Sequence, residues 1–443
     1  MITSLTMKNF RGFLNEKIPI SSNITVFVGE NGVGKSTILE ALRILLSSFP
    51  ARLLTENQRK IDFEKEQIHN GQSFTQITLE TTFDDKKYQW MEEYQRIGLS
   101  KSDFSGLDNL VQHFQQKLSH NGDQQSYSLP IIVSYAVERT ISQHAIQPKT
   151  SKEHNLFEIY DSSFDSALSF EHFFQWFKDK SDLELQVREE ETDKVIKLEK
   201  NLALQGMSYA DWMNLLKKAR EYEIPELQLV RQAIEYFFAD FRNLRVNRNS
   251  PLRLELQKGD EILLVNQLSD GEKSVLTMIG DIARRLHLAN PNMKDPLQGE
   301  GVVMIDEIEL HLHPKWQQDI LPKFRALFPN IQFIITTHSP HVISNVGEND
   351  LYQLVRRNGI LEVIPCVDNY GKKPQAILED IQGLERLRPE NIEKKFQQIY
   401  VQLDENDLES AKYSVQALQE QIGNDEELVK LRLLIRKKEI LSP

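Results

Sequence analysis

The residues best equipped for chemistry lie near the start of the chain, in Gly29-Glu30-Asn31-Gly32-Val33-Gly34-Lys35-Ser36, followed by Thr37. The stretch fits G-x-x-x-x-G-K-[ST], and its surroundings suit that pattern. Ile24–Val28 before it is short, apolar and β-branched, and reads as a buried strand; Thr37–Leu46 after it reads as a helix. Three glycines allow the backbone to curl until successive N–H groups point inward at phosphate oxygens. The helix start adds the positive end of its dipole. Glu30, Asn31, Gly32, Val33, Gly34 and Thr37 are therefore expected to form the cradle of a nucleotide. Lys35 is expected to reach the β- and γ-phosphates, and the Ser36 hydroxyl to ligate Mg²⁺.

Three later stretches can complete this site. Val302–Ile305 is four apolar residues followed by Asp306 and Glu307. A strand there delivers Asp306 to a sheet edge as a second Mg²⁺ ligand, and Glu307 to the place where water is oriented and deprotonated for attack. Ile331–Thr337 is a strand ending at His338, which can hydrogen-bond a γ-phosphate or the attacking water. Leu268-Ser269-Asp270-Gly271-Glu272 opens a helix, with Ser269 as its cap and Glu272 at the capping-box position. The free N–H groups of that helix start make a second anion site. Within one chain it would have nothing to bind; facing the loop of another copy, it would close on the γ-phosphate.

These stretches need strands alternating with helices, hence a mostly parallel sheet. Ile2–Phe13 and Thr75–Phe83 alternate as strands, Pro130–Tyr135 is an apolar strand, and Trp90–Leu118 is weakly helical. Asn121–Ser126 and Thr140–Asn155 read as polar loops. Phe164–Lys218 is helical, and its aromatic run Phe170–Phe177 reads as core rather than as a base-stacking surface. Leu183–Leu202 reads as a short charged hairpin and Leu227–Phe241 as a helix. Glu272–Leu288 and Pro314–Leu327 are helices, and Leu351–Val355 and Leu361–Val367 pair as strands around Arg357-Asn358-Gly359. In the Lys- and Glu-rich end, Leu408–Ile422 and Leu428–Leu441 form a helical hairpin at Gly423-Asn424. The division expected is 1–139 and 241–370 as two halves of an α/β head, 140–240 as a helical insertion, and 371–443 as a helical tail for partner docking.

Composition narrows the class. The 443 residues carry a formal net charge of -12, which argues against coating nucleic acid by bulk charge. One cysteine, Cys366, allows neither an intrachain disulfide nor a cysteine zinc cluster. Met1–Phe10 alternates and carries Lys8, unlike a secretion signal, and no run approaches the roughly 20 apolar residues of a membrane span. A cytoplasmic protein away from membranes is expected.

The series GENGVGKST, LSDGEKS, VVMIDE, ELHLHP, TTHSP resembles the ABC-type ATPase heads of the RecF, SMC and OLD group. The resemblance implies ATP and Mg²⁺ held between two heads of a homodimer or higher homo-oligomer. Ser269 and Gly271 of one head would close the site of the other. It further implies Glu307 as catalytic base, His338 as switch histidine, Glu309–His313 as the loop crossing the dimer, and Arg11 of NFRGF near the α-phosphate or adenine. The signature departs from LSGGQ: Asp270 and Glu272 add negative charge, which would slow hydrolysis or favour regulated closure. The glutamine-loop residue is open between Gln76 and the segment Tyr135–Arg139.

The aromatic insert, VRQAIEYFF and the helical tail are similar to the PtuA ATPases of Septu and retron antiphage systems. That resemblance implies a separately encoded HNH nuclease of the PtuB kind as partner. The stretch after the head is too short for a Toprim domain, and no H-N-H metal constellation is visible. Two other functions stay open: a DNA-repair or chromosome-maintenance clamp with nucleic acid as partner, and an ATP-level sensor with little turnover.

Overall fold

The computed structural model describes residues 1–54, 60–119, 127–137, 156–164, 170–199, 207–249, 251–347, 349–384 and 388–441. The polar stretches expected at 121–126 and 140–155, and Arg139, lie outside them. The chain divides into two compact units, Met1–Lys373 and Pro374–Pro443.

The first unit opens with β1 (Ile2–Phe10), β2 (Phe13–Pro19), β3 (Ile24–Val28) and α1 (Lys35–Leu53). Next come β4 (Phe74–Phe83), β5 (Lys86–Gln95), α2 (Ser105–Ser119) and β6 (Ile131–Tyr135). Helices α3 (Phe170–Glu199), α4 (Tyr209–Arg220) and α5 (Pro225–Phe237) follow, then β7 (Phe241–Asn247), β8 (Arg253–Lys258) and β9 (Glu261–Leu264). The unit continues through α6 (Asp270–Ala289), β10 (Gly301–Ile305), α7 (Pro314–Leu327), β11 (Ile331–Thr336), α8 (Pro340–Ile343), β12 (Leu351–Arg357) and β13 (Ile360–Pro365).

The main sheet has the order β13-β12-β3-β11-β10-β6. Strands β12, β3, β11, β10 and β6 run parallel; only β13 is antiparallel. Every residue of β3, β6, β10 and β11 is buried, as expected of parallel strands covered on both faces. A second, antiparallel sheet has the order β2-β1-β4-β5, and a third β7-β8-β9. Helix α1 contacts both β4 and β11. The fold is thus α/β with a mixed, mostly parallel sheet.

Three expectations are corrected. Trp90 belongs to a strand: β5 pairs with β4 across Asp84-Asp85, whose φ values of 47° and 57° make a two-residue hairpin turn. Trp90 then donates its indole N–H to the Leu45 carbonyl of α1 at 3.2 Å. Of the charged stretch expected to form a hairpin at 183–202, the described residues 183–199 lie in one continuous 30-residue helix, α3, which pairs with α4 through Val195, Trp212, Leu216 and Ala219. Helix α5 stops at Phe237, and Phe241 starts β7. The aromatic run does supply core: Phe173, Phe174 and Phe177 are all buried. Strands β12 and β13 join through Asn358 and Gly359 at φ 50° and 82°.

The second unit contains α9 (Pro374–Asp380), α10 (Glu390–Asp404), α11 (Leu408–Ile422) and α12 (Glu426–Leu441). The expected two-helix hairpin is therefore part of a three-helix packing. Phe396, Ile399 and Leu403 of α10 meet Val415 and Leu418 of α11 and Leu428, Leu431 and Ile435 of α12.

Candidate active site

The loop Gly29–Gly34 connects β3 to α1, which begins at Lys35 rather than at the expected Thr37. Gly34 caps the helix at φ 105°, a conformation unfavourable for a residue with a Cβ. No side chain caps α1, and no acidic residue lies in its first turn. Its leading N–H groups are therefore suited to an anion. The Lys35 Nζ donates to the carbonyls of Gly29 and Glu30 at 3.1 and 3.0 Å, folded back over the loop. Burial lowers its pKa from the ordinary lysine value, and Glu307, Asp306 and Glu309 oppose that shift.

Those carboxylates are near because β11 lies between β3 and β10, so the C-terminal ends of three parallel strands converge. Thr336 of β11, missed in the sequence, ties the ends together. Its hydroxyl donates to Asp306 Oδ1 and accepts the Glu307 backbone N–H at 2.8 Å. Glu307 adopts φ 47°, a strained value for a side-chain-bearing residue that fixes where its carboxylate leaves the strand. Glu309, also missed as a positioning group, accepts from the Thr337 hydroxyl at 2.7 Å and from the His338 backbone N–H. Burial, then the Lys35 charge, lower the His338 pKa, while Glu309, Glu307 and Asp306 oppose this. The imidazole is thereby kept neutral near pH 7, able to donate from one nitrogen and accept at the other. None of these three positioning contacts has a local sequence signal; each joins residues about 30 positions apart.

Ser36 and Asp306 offer the hard oxygen donors that Mg²⁺ takes alongside waters and phosphate oxygens. Such an ion, when bound, neutralises charge on the β- and γ-phosphates. The chain's own groups can then cradle phosphate (Gly29–Thr37), counter its charge (Lys35), take a proton from water (Glu307) and hydrogen-bond at the γ position (His338).

Arg11 lies beside α1. It has φ 47°, and its guanidinium meets Glu40 of that helix at 2.6 Å. Glu40 also accepts from Gln67 at 2.8 Å. Gln76 sits on β4, paired with Lys8 and Glu93.

Ser269 and Gly271 are not brought to the loop. Ser269 caps α6, with Glu272 closing the box at 2.9 Å, and among the described residues neither makes a hydrogen bond to Gly29–Ser36. Gly271 serves close packing: a Cβ there would lie 2.2 Å from the His311 carbonyl oxygen. The expected excess of negative charge is corrected. Asp270 pairs with Lys273 at 2.7 Å and Glu272 with Lys258 at 2.6 Å, so the four groups cancel.

Behind the site runs a buried polar chain absent from the sequence reading. The Asp306 N–H donates to the Tyr135 carbonyl at 2.9 Å, and the Tyr135 hydroxyl donates to Asp281 of α6, also at 2.9 Å. Asp281 further binds Arg285 and Arg284, and Arg285 donates to the carbonyls of Ile159 and Asp161. Burial alone would raise the Asp281 pKa; the two arginines overcome it and hold it at about 2. Asp281→Asn should cost about 3–5 kcal/mol of stability by leaving Arg285 buried and uncompensated, measurable as a lowered urea midpoint. Cys366 is a buried thiol, its pKa pushed up to about 11 by burial.

Residues 1–343 match the family model described as an AAA ATPase domain. A protein named retron Ec83 probable ATPase, from Escherichia coli, is 32% identical over 99% of this chain and 87% of its own length. Retron Vc95 probable ATPase, from Vibrio cholerae serotype O1 biovar El Tor, is 31% identical over 79% of this chain and 72% of its own. Septu protein PtuA from Bacillus mycoides is 25% identical over 76% of this chain and 38% of its own. Among solved structures, a Pyrococcus furiosus Smc head domain with an extended coiled coil, bound to the C-terminal domain of ScpA, aligns with TM-score 0.48 and 17% identity. That alignment covers 86% of this chain and 99% of the Smc chain. With the phosphate loop, the paired carboxylates and the histidine on adjoining parallel strands, the chain belongs to the AAA ATPase domain family and is an ATPase.

Proposed function

We propose that two copies of this chain close around ATP·Mg²⁺ and thereby control a separately encoded HNH nuclease of the PtuB kind in antiphage defence. The observation that carries the reading is the convergence of Lys35, Asp306, Glu307 and His338 at the ends of neighbouring parallel strands, while Ser269 and Gly271 belong to a different helix start. One chain thus supplies Lys35, Ser36, Asp306 as metal ligand, Glu307 as base and His338. Its partner supplies Ser269 and Gly271. Arg11 is assigned to the nucleotide's α-phosphate or adenine, reached when it leaves Glu40.

The nuclease enters through the resemblance to the PtuA ATPases, and the helical unit Pro374–Pro443 is assigned as its dock because every residue assigned to the nucleotide site lies within Met1–Lys373. Deleting residues 374–443 should leave ATP affinity within about twofold and abolish co-purification with the nuclease; retained co-purification would place the dock elsewhere. Among the described residues no helix is long and apolar enough to cross a membrane, and we place the protein in the cytoplasm.

The clamp reading keeps one point in its favour, the long helix α3, and a salt-dependent DNA titration tests it. The low-turnover sensor reading loses its motive, because Lys258 and Lys273 neutralise the acidic signature.

A further inference from the structure

Helix α12 is apolar on two sides. Leu428, Leu431 and Ile435 are buried in the three-helix unit. On the opposite side Val429, Leu433 and Ile440 are 53%, 64% and 77% exposed. At 3.6 residues per turn these three side chains fall within about 40° of one another, forming a single outward stripe. Arg432 and Arg436 border the stripe on one side, and Lys430 and Lys437 on the other, with Glu426 the one acidic residue beside it, at the helix start; all five are exposed. None of the four cationic side chains makes an ion pair or hydrogen bond with another described residue. Elsewhere in the unit, by contrast, charges are paired: Arg388 with Asp425 and Glu427, and Lys412 with Glu409 and Glu439.

We propose that the outward face of α12 is a docking site for an amphipathic helix of another protein, with a narrow apolar stripe bordered by Asp and Glu. The basis is charge complementarity. Apolar burial along Val429, Leu433 and Ile440 supplies contact area, and the four cations fix orientation and select acidic borders. A second copy docking α12 against α12 would set cationic borders against each other. A bilayer would need a broader apolar face, and the far side of α12 is already committed to the three-helix core. The inference rests on reading Pro374–Pro443 as the docking unit, but not on the partner being a nuclease.

The test uses the full chain and a fluorescein-labelled designed helix carrying a leucine stripe bordered by glutamates, with a photo-crosslinker at its centre. A twin peptide carries lysines in place of the glutamates. The glutamate peptide should bind at least about tenfold more tightly than the lysine twin, less so in high salt, and crosslink to α12. Leu433→Asp should weaken it by about tenfold or more. Reversing Lys430, Arg432, Arg436 and Lys437 to Glu should swap the preference to the lysine twin. Crosslinks elsewhere in 374–443, with no response to either variant, would overturn this assignment while keeping the docking unit. Crosslinks confined to 1–373 would overturn both. Equal binding of the two peptides, a drop in oligomer mass on Leu433→Asp, or preferential uptake by anionic phosphatidylserine vesicles would each overturn the acidic-helix partner.

Discussion

Glu307→Gln should lower ATP turnover by about 10²–10⁴-fold while leaving ATP binding intact, and hold two chains together around the nucleotide. The substitution keeps size and hydrogen-bonding capacity but removes the carboxylate that would accept a proton from water. The strained φ of 47° and the Thr336 hydroxyl on its backbone N–H should position the Gln as they position the Glu. Asp306 and Lys35 are untouched, so phosphate and metal binding should persist. Steady-state phosphate release gives the rate, and light scattering with and without ATP gives the mass. Turnover at the unmutated rate would remove Glu307 from the role of base.

The second large effect is expected at Gly271. A methyl group there would sit 2.2 Å from the His311 carbonyl oxygen and 2.9 Å from its carbon, both backbone atoms. The loop has little freedom to retreat. His311 itself has φ 63°, Leu312 donates its N–H to Glu309 at 2.9 Å, and Gln317 holds the Leu312 carbonyl at 2.9 Å. Gly271→Ala should therefore cost about 1–3 kcal/mol of overpacking and displace the start of α6 from the Glu309–His313 loop. On the proposed assembly both segments lie at the dimer seam, so turnover should fall by about tenfold or more while single-chain nucleotide binding stays within about twofold. Unchanged turnover would show that this contact is not part of the working site.

Much of the site was legible because its residues are consecutive. A phosphate loop needs its glycines, Lys35 and Ser36 in one run, and a strand ending in Asp306-Glu307 announces itself by four apolar residues before two carboxylates. The groups that aim these residues were not legible. Thr336 reads as one more β-branched strand residue until β10 and β11 are set side by side in register. Tyr135 and Asp281 meet across 146 positions, and no local pattern marks either one. The charge of the signature was misjudged partly for the same reason: Lys258, on another element 14 positions away, cancels Glu272, whereas Lys273, which meets Asp270, stands in the same run. In the fold, the error at β5 came from its Lys, Gln and Glu residues, which suit a helix until the Asp84-Asp85 turn is recognised as a hairpin.

In the proposed assembly a working site takes its phosphate loop from one chain and its Ser269–Gly271 lid from another. The most direct measurement mixes two inactive variants. Lys35→Ala lacks the loop lysine but keeps the lid; Ser269→Arg keeps the loop but blocks the lid. Each alone should hydrolyse ATP at a near-zero rate. Mixed one to one and allowed to exchange, half the dimers are hybrids with one intact composite site, and turnover should recover to about a quarter of the unmutated rate. A mixture that stays at the summed rates of its parts, or a Ser269→Arg protein active on its own, would contradict the shared site.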